Sequence, residues 1–69
     1  MKITLKALRV NAGLSQKEVA KKLGISNNTL IKWERYLSYP RVLQLDKMCK
    51  LYGCSMDDIF LPDNLTKSE

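Results

Sequence analysis

Leu14 to Arg35, LSQKEVAKKLGISNNTLIKWER, is the stretch whose reading decides the fold. Ser15 is a good N-cap, and Glu18 three residues later completes a capping box, with Leu14 and Val19 placed to form a hydrophobic staple across it. Val19, Ala20 and Leu23 make one apolar stripe, and Gly24 supplies the left-handed residue at which a helix stops and turns. Ile25 and Ser26 repeat the grammar: Ser26 caps a second helix, and Ile25 staples onto Leu30. The spacing therefore predicts two short helices joined by a tight turn.

The second helix carries the functional argument. At about 100° per residue, turning Leu30 and Trp33 to a core puts Asn28, Lys32 and Arg35 on the opposite side. Asn27 and Ile31 then lie on one flank and Thr29 on the other. Asparagine lowers helix propensity, so Asn27 and Asn28 are either local capping chemistry or residues meant to touch something. Asparagine can bond bidentately to an adenine edge in the major groove, threonine can meet a thymine methyl or donate a hydrogen bond, and lysine can reach guanine or phosphate. This outer face has the chemistry of a reading helix.

From Lys6 to Leu61 the chain resembles the helix-turn-helix domains of phage repressors and Cro proteins, the xenobiotic-response-element (XRE) type regulators. The resemblance is carried by Gln16, Val19, Ala20, Leu23, Gly24, Ile25, Leu30, Trp33 and Glu34 at the family's spacing, then by Tyr39-Pro40 and by Tyr52-Gly53 before Ser55. It implies an all-α fold, a compact five-helix bundle of the lambda-repressor-like kind with the motif at helices 2 and 3. The implied division is an N-terminal arm and start of the first helix at 1–5, the DNA-binding domain at 6–61 and a polar tail at 62–69.

Bulk composition agrees with a small DNA-binding domain. Sixty-nine residues make at most one domain, near the lower size at which a single core suffices. Hydrophobic residues at 45% and charged ones at 28% read as globular. With no long apolar run and no signal peptide ahead of the first helix, the expectation is a cytoplasmic, bacterial or phage-encoded protein without a membrane partner. The net charge is +5, and it is unevenly placed: nine Lys or Arg against two acids up to Arg41, three against five beyond it. A polyanionic partner accounts for that asymmetry, as does a plain solvated lysine face. Cys49 and Cys54 lack CxxC spacing and there is no histidine, so no metal or other cofactor is expected. Cys49 shares a stripe with Leu45, Met48 and Tyr52 and reads as a buried reduced thiol.

Taken in order, Met1 to Ile3 is expected to be a frayed arm carrying Lys2. Thr4 caps a first helix with Leu5, Leu8 and Ala12 inward, ended by Gly13. Arg9 lies beside that stripe, and Glu34 flanks the Leu30 and Trp33 side of the reading helix. A charge facing an interior needs a partner, so Arg9 and Glu34 are expected to pair, a bridge the resemblance also implies. Lys17 and Lys21 point away from Val19 and Leu23. Gln16, at a helix start, suits a phosphate together with the free backbone N–H groups. The resemblance implies that Gln16 grips the DNA backbone and braces the next helix; a solvated amide is the alternative.

After Arg35 the chain departs from the family pattern, placing Tyr36 and Leu37 where a glycine and a basic residue are common. The reading helix is then expected to run on to Leu37 or Ser38, with Leu37 extending the inward stripe, and the missing phosphate contact falls to Arg35 or Arg41. Ile31 is a second departure; it meets a thymine methyl or packs on Asn27. Pro40 fits the first position of a fourth helix burying Val42, Leu45, Met48, Cys49 and Tyr52. Cys54, Ser55, Asp58 and Ile59 repeat the staple and box, so a short fifth helix ended by Pro62 is expected, with a mobile tail from Asp63 to Glu69.

The functional expectation is a sequence-specific regulator of transcription, a phage-type repressor, binding double-stranded DNA at a palindromic operator. Asn27, Asn28 and Lys32 are first choices for base edges, Ser26 and Thr29 for bases or phosphates, and Gln16, Lys17, Arg35 and Arg41 for the backbone. One domain covers a half-site, so a weak homodimer assembled on DNA is expected, with Met56, Ile59, Phe60 and Leu65 as contact candidates, Ile59 and Phe60 being core residues in the alternative. An antitoxin-like or other protein-binding module on the same fold is the alternative. Enzymatic activity is not expected: no histidine, phosphate loop or evident carboxylate pair is present, and no small-molecule ligand is implied.

Overall fold

Short polar side chains open the first three helices. The computed structural model describes residues 2–62. Thr4 precedes α1 (Leu5–Asn11) and accepts from the Ala7 N–H, Ser15 precedes α2 (Gln16–Leu23) and Ser26 precedes α3 (Asn27–Glu34). At α2 the capping box is complete, with the Glu18 N–H donating to Ser15 Oγ at 3.0 Å and the Ser15 N–H to Glu18 Oε1 at 2.9 Å. The fourth helix, α4 (Val42–Tyr52), starts from Arg41 without a side-chain cap. Pro40 is therefore outside it, buried one residue before the cap, and does not take the first helical position expected of it.

The apolar stripes of the four helices converge on one core. Leu5, Val19, Leu30 and Met48, one from each helix, are the most deeply enclosed, and Leu8, Ala20, Leu23, Trp33, Cys49, Tyr52 and Ile59 complete the buried set. Of the expected members Leu45 is only half-buried against this set, and three are absent: Leu37, described below, Ala12, which is exposed, and Val42, which is 70% exposed in the first turn of α4.

Gly24 ends α2 at φ 73°, and the next N–H, of Ile25, reaches back to the Ala20 carbonyl at 3.0 Å. Such a left-handed stop lets α3 begin three residues later against α2. The end of α3 corrects the expectation of a longer reading helix. It closes at Glu34 with the same stop, but the left-handed residue is Tyr36, at φ 57°. The Tyr36 N–H reaches the Trp33 carbonyl at 3.1 Å and the Leu37 N–H the Lys32 carbonyl at 2.9 Å. Leu37 is consequently turned outward, 67% exposed, and adds nothing to the core.

Beyond α4 the fold also differs from a five-helix bundle. The Ser55 and Asp58 box forms, yet only a single 3₁₀ turn, Met56–Asp58, follows it. Ile59 leaves that turn in extended conformation and forms a parallel bridge with Ile3, through Ile3 N–H to Asp58 O at 2.7 Å and Phe60 N–H to Ile3 O at 2.8 Å. That pairing explains both departures: it pulls residue 59 out of helical geometry, and it pins the Lys2 and Ile3 arm that had been expected to fray. The mobile tail expected from Asp63 to Glu69 lies outside the described residues, as does Met1.

Candidate nucleic-acid interface

The α2 and α3 pair forms a unit whose inner side is locked by one buried ionic cluster. Arg9 Nε donates to Glu34 Oε2 at 2.6 Å and Nη2 to Oε1 at 3.3 Å, while Nη1 donates to the Leu14 carbonyl at 2.9 Å. Gln16 Nε2 donates to Glu34 Oε1 at 3.0 Å. The Arg9 and Glu34 side chains are only 10% and 3% exposed, so the pair is a desolvated one in which each charge depends on the other. Three segments thus meet at one carboxylate: α1 through Arg9, the α2 start through Gln16, and the end of α3 through Glu34 itself.

With that side fixed, the other side of α3 is left to solvent. Asn27, Asn28, Lys32 and Arg35 are exposed, and Ile31 and Thr29 are half-buried on the flanks. Ser26 Oγ accepts from the Thr29 N–H at 3.1 Å and lies 3.0 Å from Thr29 Oγ1, so the two hydroxyls are mutually engaged at the helix start. Lys17 is exposed on α2, whereas Gln16 is half-buried and has one amide hydrogen committed to Glu34. Arg41 is exposed at the N-cap of α4.

Between Arg35 and Arg41 lies a residue that the reading of the sequence missed. The Leu5 N–H donates to Tyr36 Oη at 3.2 Å, and Tyr36 Oη donates to the Phe60 carbonyl at 2.7 Å. The Tyr36 and Phe60 rings meet edge to face, with centroids 6.0 Å apart and planes at 84°. Tyr39 Oη donates to the Tyr36 carbonyl at 3.2 Å. The local signal is the tyrosine at position 36 in place of a glycine, from which a longer helix is expected.

Titration behaviour follows from the same geometry. Hydrogen bonds from the Ser15 backbone and hydroxyl hold the Glu18 carboxyl below its ordinary value, and Ser55 does the same for Asp58. Burial pushes the Cys49 thiol up to about 11 and the Tyr52 phenol to about 12, the latter aided by the nearby Glu34 carboxylate and opposed by Arg9. Cys49 and Cys54 are both free thiols. Among the described residues, no group of three or more His, Cys, Asp or Glu could hold a metal ion, and no helix is long and apolar enough to cross a membrane.

The expected partner surface is only partly exposed. Met56 and Phe60 are about two-fifths exposed, but Ile59 is buried against Ile3 and is removed from it. Leu65 lies outside the described residues.

Comparison with known proteins places this geometry. A helix-turn-helix family model matches residues 5–59, from the start of α1 to the bridge at Ile59. The HTH-type transcriptional regulator ImmR of Bacillus subtilis is 41% identical over 63 residues, covering 91% of this chain and 50% of that protein. An uncharacterized HTH-type transcriptional regulator of Methanocaldococcus jannaschii is 38% identical over 61 residues, 88% of this chain and 92% of its own length. The cryptic phage CTXphi transcriptional repressor RstR of Vibrio cholerae is 31% identical over 55 residues, 80% of this chain and 50% of that repressor. The chain thus spans about half the length of ImmR and RstR and nearly all of the archaeal regulator. No solved structure matches it significantly. On the family model, these relatives and the α2 and α3 geometry, the chain belongs to the helix-turn-helix family, in the XRE type shared by phage repressors and Cro proteins.

Proposed function

We propose that the protein is a DNA-binding transcriptional regulator, a repressor of the phage type, that reads the major groove with α3 and performs no catalysis. The observation that carries this reading is the division of α3. Leu30, Trp33 and Glu34 are buried and immobilised behind it, while Asn28, Lys32 and Arg35 stand exposed in front. A helix held that rigidly, with amide and ammonium groups outward, suits hydrogen bonding to base edges. The relatives named above are regulators, one of them a phage repressor, which favours this reading over an antitoxin-like module.

In this reading Asn27, Asn28 and Lys32 contact bases. Ser26 and Thr29, whose hydroxyls are already paired with each other, reach bases or phosphates with their remaining capacity. Gln16, Lys17, Arg35 and Arg41 grip the backbone, Gln16 through its second amide hydrogen. A palindromic operator is bound by two copies that associate weakly without DNA. The apolar side chains available for that contact are Met56 and Phe60, together with Leu37, Val42 and Leu43, which are two-thirds or more exposed.

The test is binding to duplexes selected from a random pool, compared between the protein and the double variant Asn28→Ala with Lys32→Ala. Loss of discrimination with folding intact supports the reading. Unchanged discrimination overturns the assignment of α3.

A further inference from the structure

Tyr36 occupies a left-handed backbone conformation, φ 57°, that strains a side chain and that glycine takes freely. The helix-ending bonds of its own N–H to the Trp33 carbonyl and of the Leu37 N–H to the Lys32 carbonyl hold it there, and contacts distant in sequence join them. Its hydroxyl sits between the Leu5 N–H, at the start of α1, and the Phe60 carbonyl, in the segment after the 3₁₀ turn. Its ring rests edge-on against Phe60, and its own carbonyl receives Tyr39 Oη. One side chain therefore clamps the loop after α3 to both ends of the described chain, which are themselves joined by the Ile3 and Ile59 bridge.

The loop so clamped runs from Arg35 to Arg41, with Tyr39 folded back on Tyr36 and Pro40 buried. Both arginines are exposed at its two ends. We infer that Tyr36 is a positioning residue for phosphate binding: it holds Arg35 at the angle from which its guanidinium meets the DNA backbone. This inference rests on the proposed DNA reading. Tyr36 itself touches no DNA; it acts through Arg35. Losing the hydroxyl removes the two hydrogen bonds that tie the loop to Leu5 and Phe60 without removing the ring or the charge.

The experiment measures the affinity of a pool-selected duplex across a salt series for the full chain and for Tyr36→Phe, Arg35→Ala and their combination. Each phosphate contact contributes about 0.9 to the slope of log affinity against log salt. Tyr36→Phe is expected to make the slope shallower by about one and to lower affinity about three- to tenfold. Preference for the selected over a scrambled duplex stays unchanged, and Arg35→Ala added to Tyr36→Phe produces no further change in slope. Should Tyr36→Phe fail to fold, Tyr36→Gly, which removes both strain and clasp, is expected to show the same slope change.

A Tyr36→Phe protein that melts at lower temperature but keeps the full slope makes Tyr36 a stability residue only and overturns the inference. Additive slope changes in the combination overturn it as well. A parent protein that prefers no duplex overturns the DNA reading first, and the inference with it.

Discussion

Removing the Glu34 carboxylate strands the Arg9 guanidinium in an enclosed site and leaves the Gln16 amide without its acceptor. Breaking a buried pair from one side costs about 3 to 5 kcal/mol, a large fraction of what a domain this size possesses. Glu34→Ala is accordingly expected to be largely unfolded near physiological temperature, as followed by urea denaturation; a loss below about 1 kcal/mol would mean that the pair is effectively solvated. Tyr52 sets an alkaline limit. Its phenol is raised to about 12 in the fold, so stability is intact below the ordinary phenol value near 10 and declines as pH rises toward 12, while the unfolded chain gives up the proton first. Ultraviolet absorbance and circular dichroism followed together over that range should show Tyr52 ionising with, not before, unfolding. The Arg9 and Glu34 pair could be read from the sequence because both charges fall on apolar stripes. Tyr36 could not, because the partners of its hydroxyl lie 31 and 24 residues away.

At the scale of the element, the helix starts are carried by local chemistry and can be tested one at a time. Ser15→Ala removes the acceptor for the Glu18 N–H and one donor to the Glu18 carboxylate, and is expected to cost about 1 kcal/mol. Since Glu18 and Asp58 both titrate below their ordinary values, each adds stability above the usual carboxylate range that is lost as pH falls through the depressed value. Acid unfolding of Ser15→Ala should therefore show a weaker pH dependence than that of the parent chain, and identical acid profiles would remove the capping box from the account. The helix ends are where sequence reasoning faltered. Extending the α4 stripe to Val42 and the α1 stripe to Ala12 assumes that a helical period keeps a partner along its whole length, whereas at these two helix ends the side chains are left exposed. The Cys54 to Ile59 repeat reads as helix because its capping box is real, but Ile3 competes for the backbone of residue 59 and wins. That competition pairs residues 56 apart and leaves no mark in either segment.

For the molecule as a whole, the positive charge gathers on the half that contains α2 and α3. Binding to duplex DNA is therefore expected to weaken steeply with salt, whereas the preference among sequences, set by α3, should survive. On the proposed weak association, sedimentation without DNA at micromolar concentration should find a monomer that doubles on its operator; a tight dimer without DNA would contradict this. The succession of α2 and α3, the turn at Gly24 and the two-sided character of α3 were legible from Leu14 to Arg35, because each rests on contacts within a few residues. The clasp around Tyr36 and the pinned arm were not, since they exist only once the chain ends have met. The decisive measurement is selection of bound duplexes from a random pool at physiological ionic strength. Enrichment of a two-fold symmetric site with half-sites about one helical turn apart, lost on replacing Asn28 and Lys32 with alanine, is expected; recovery of no preferred sequence would contradict a reading role for α3.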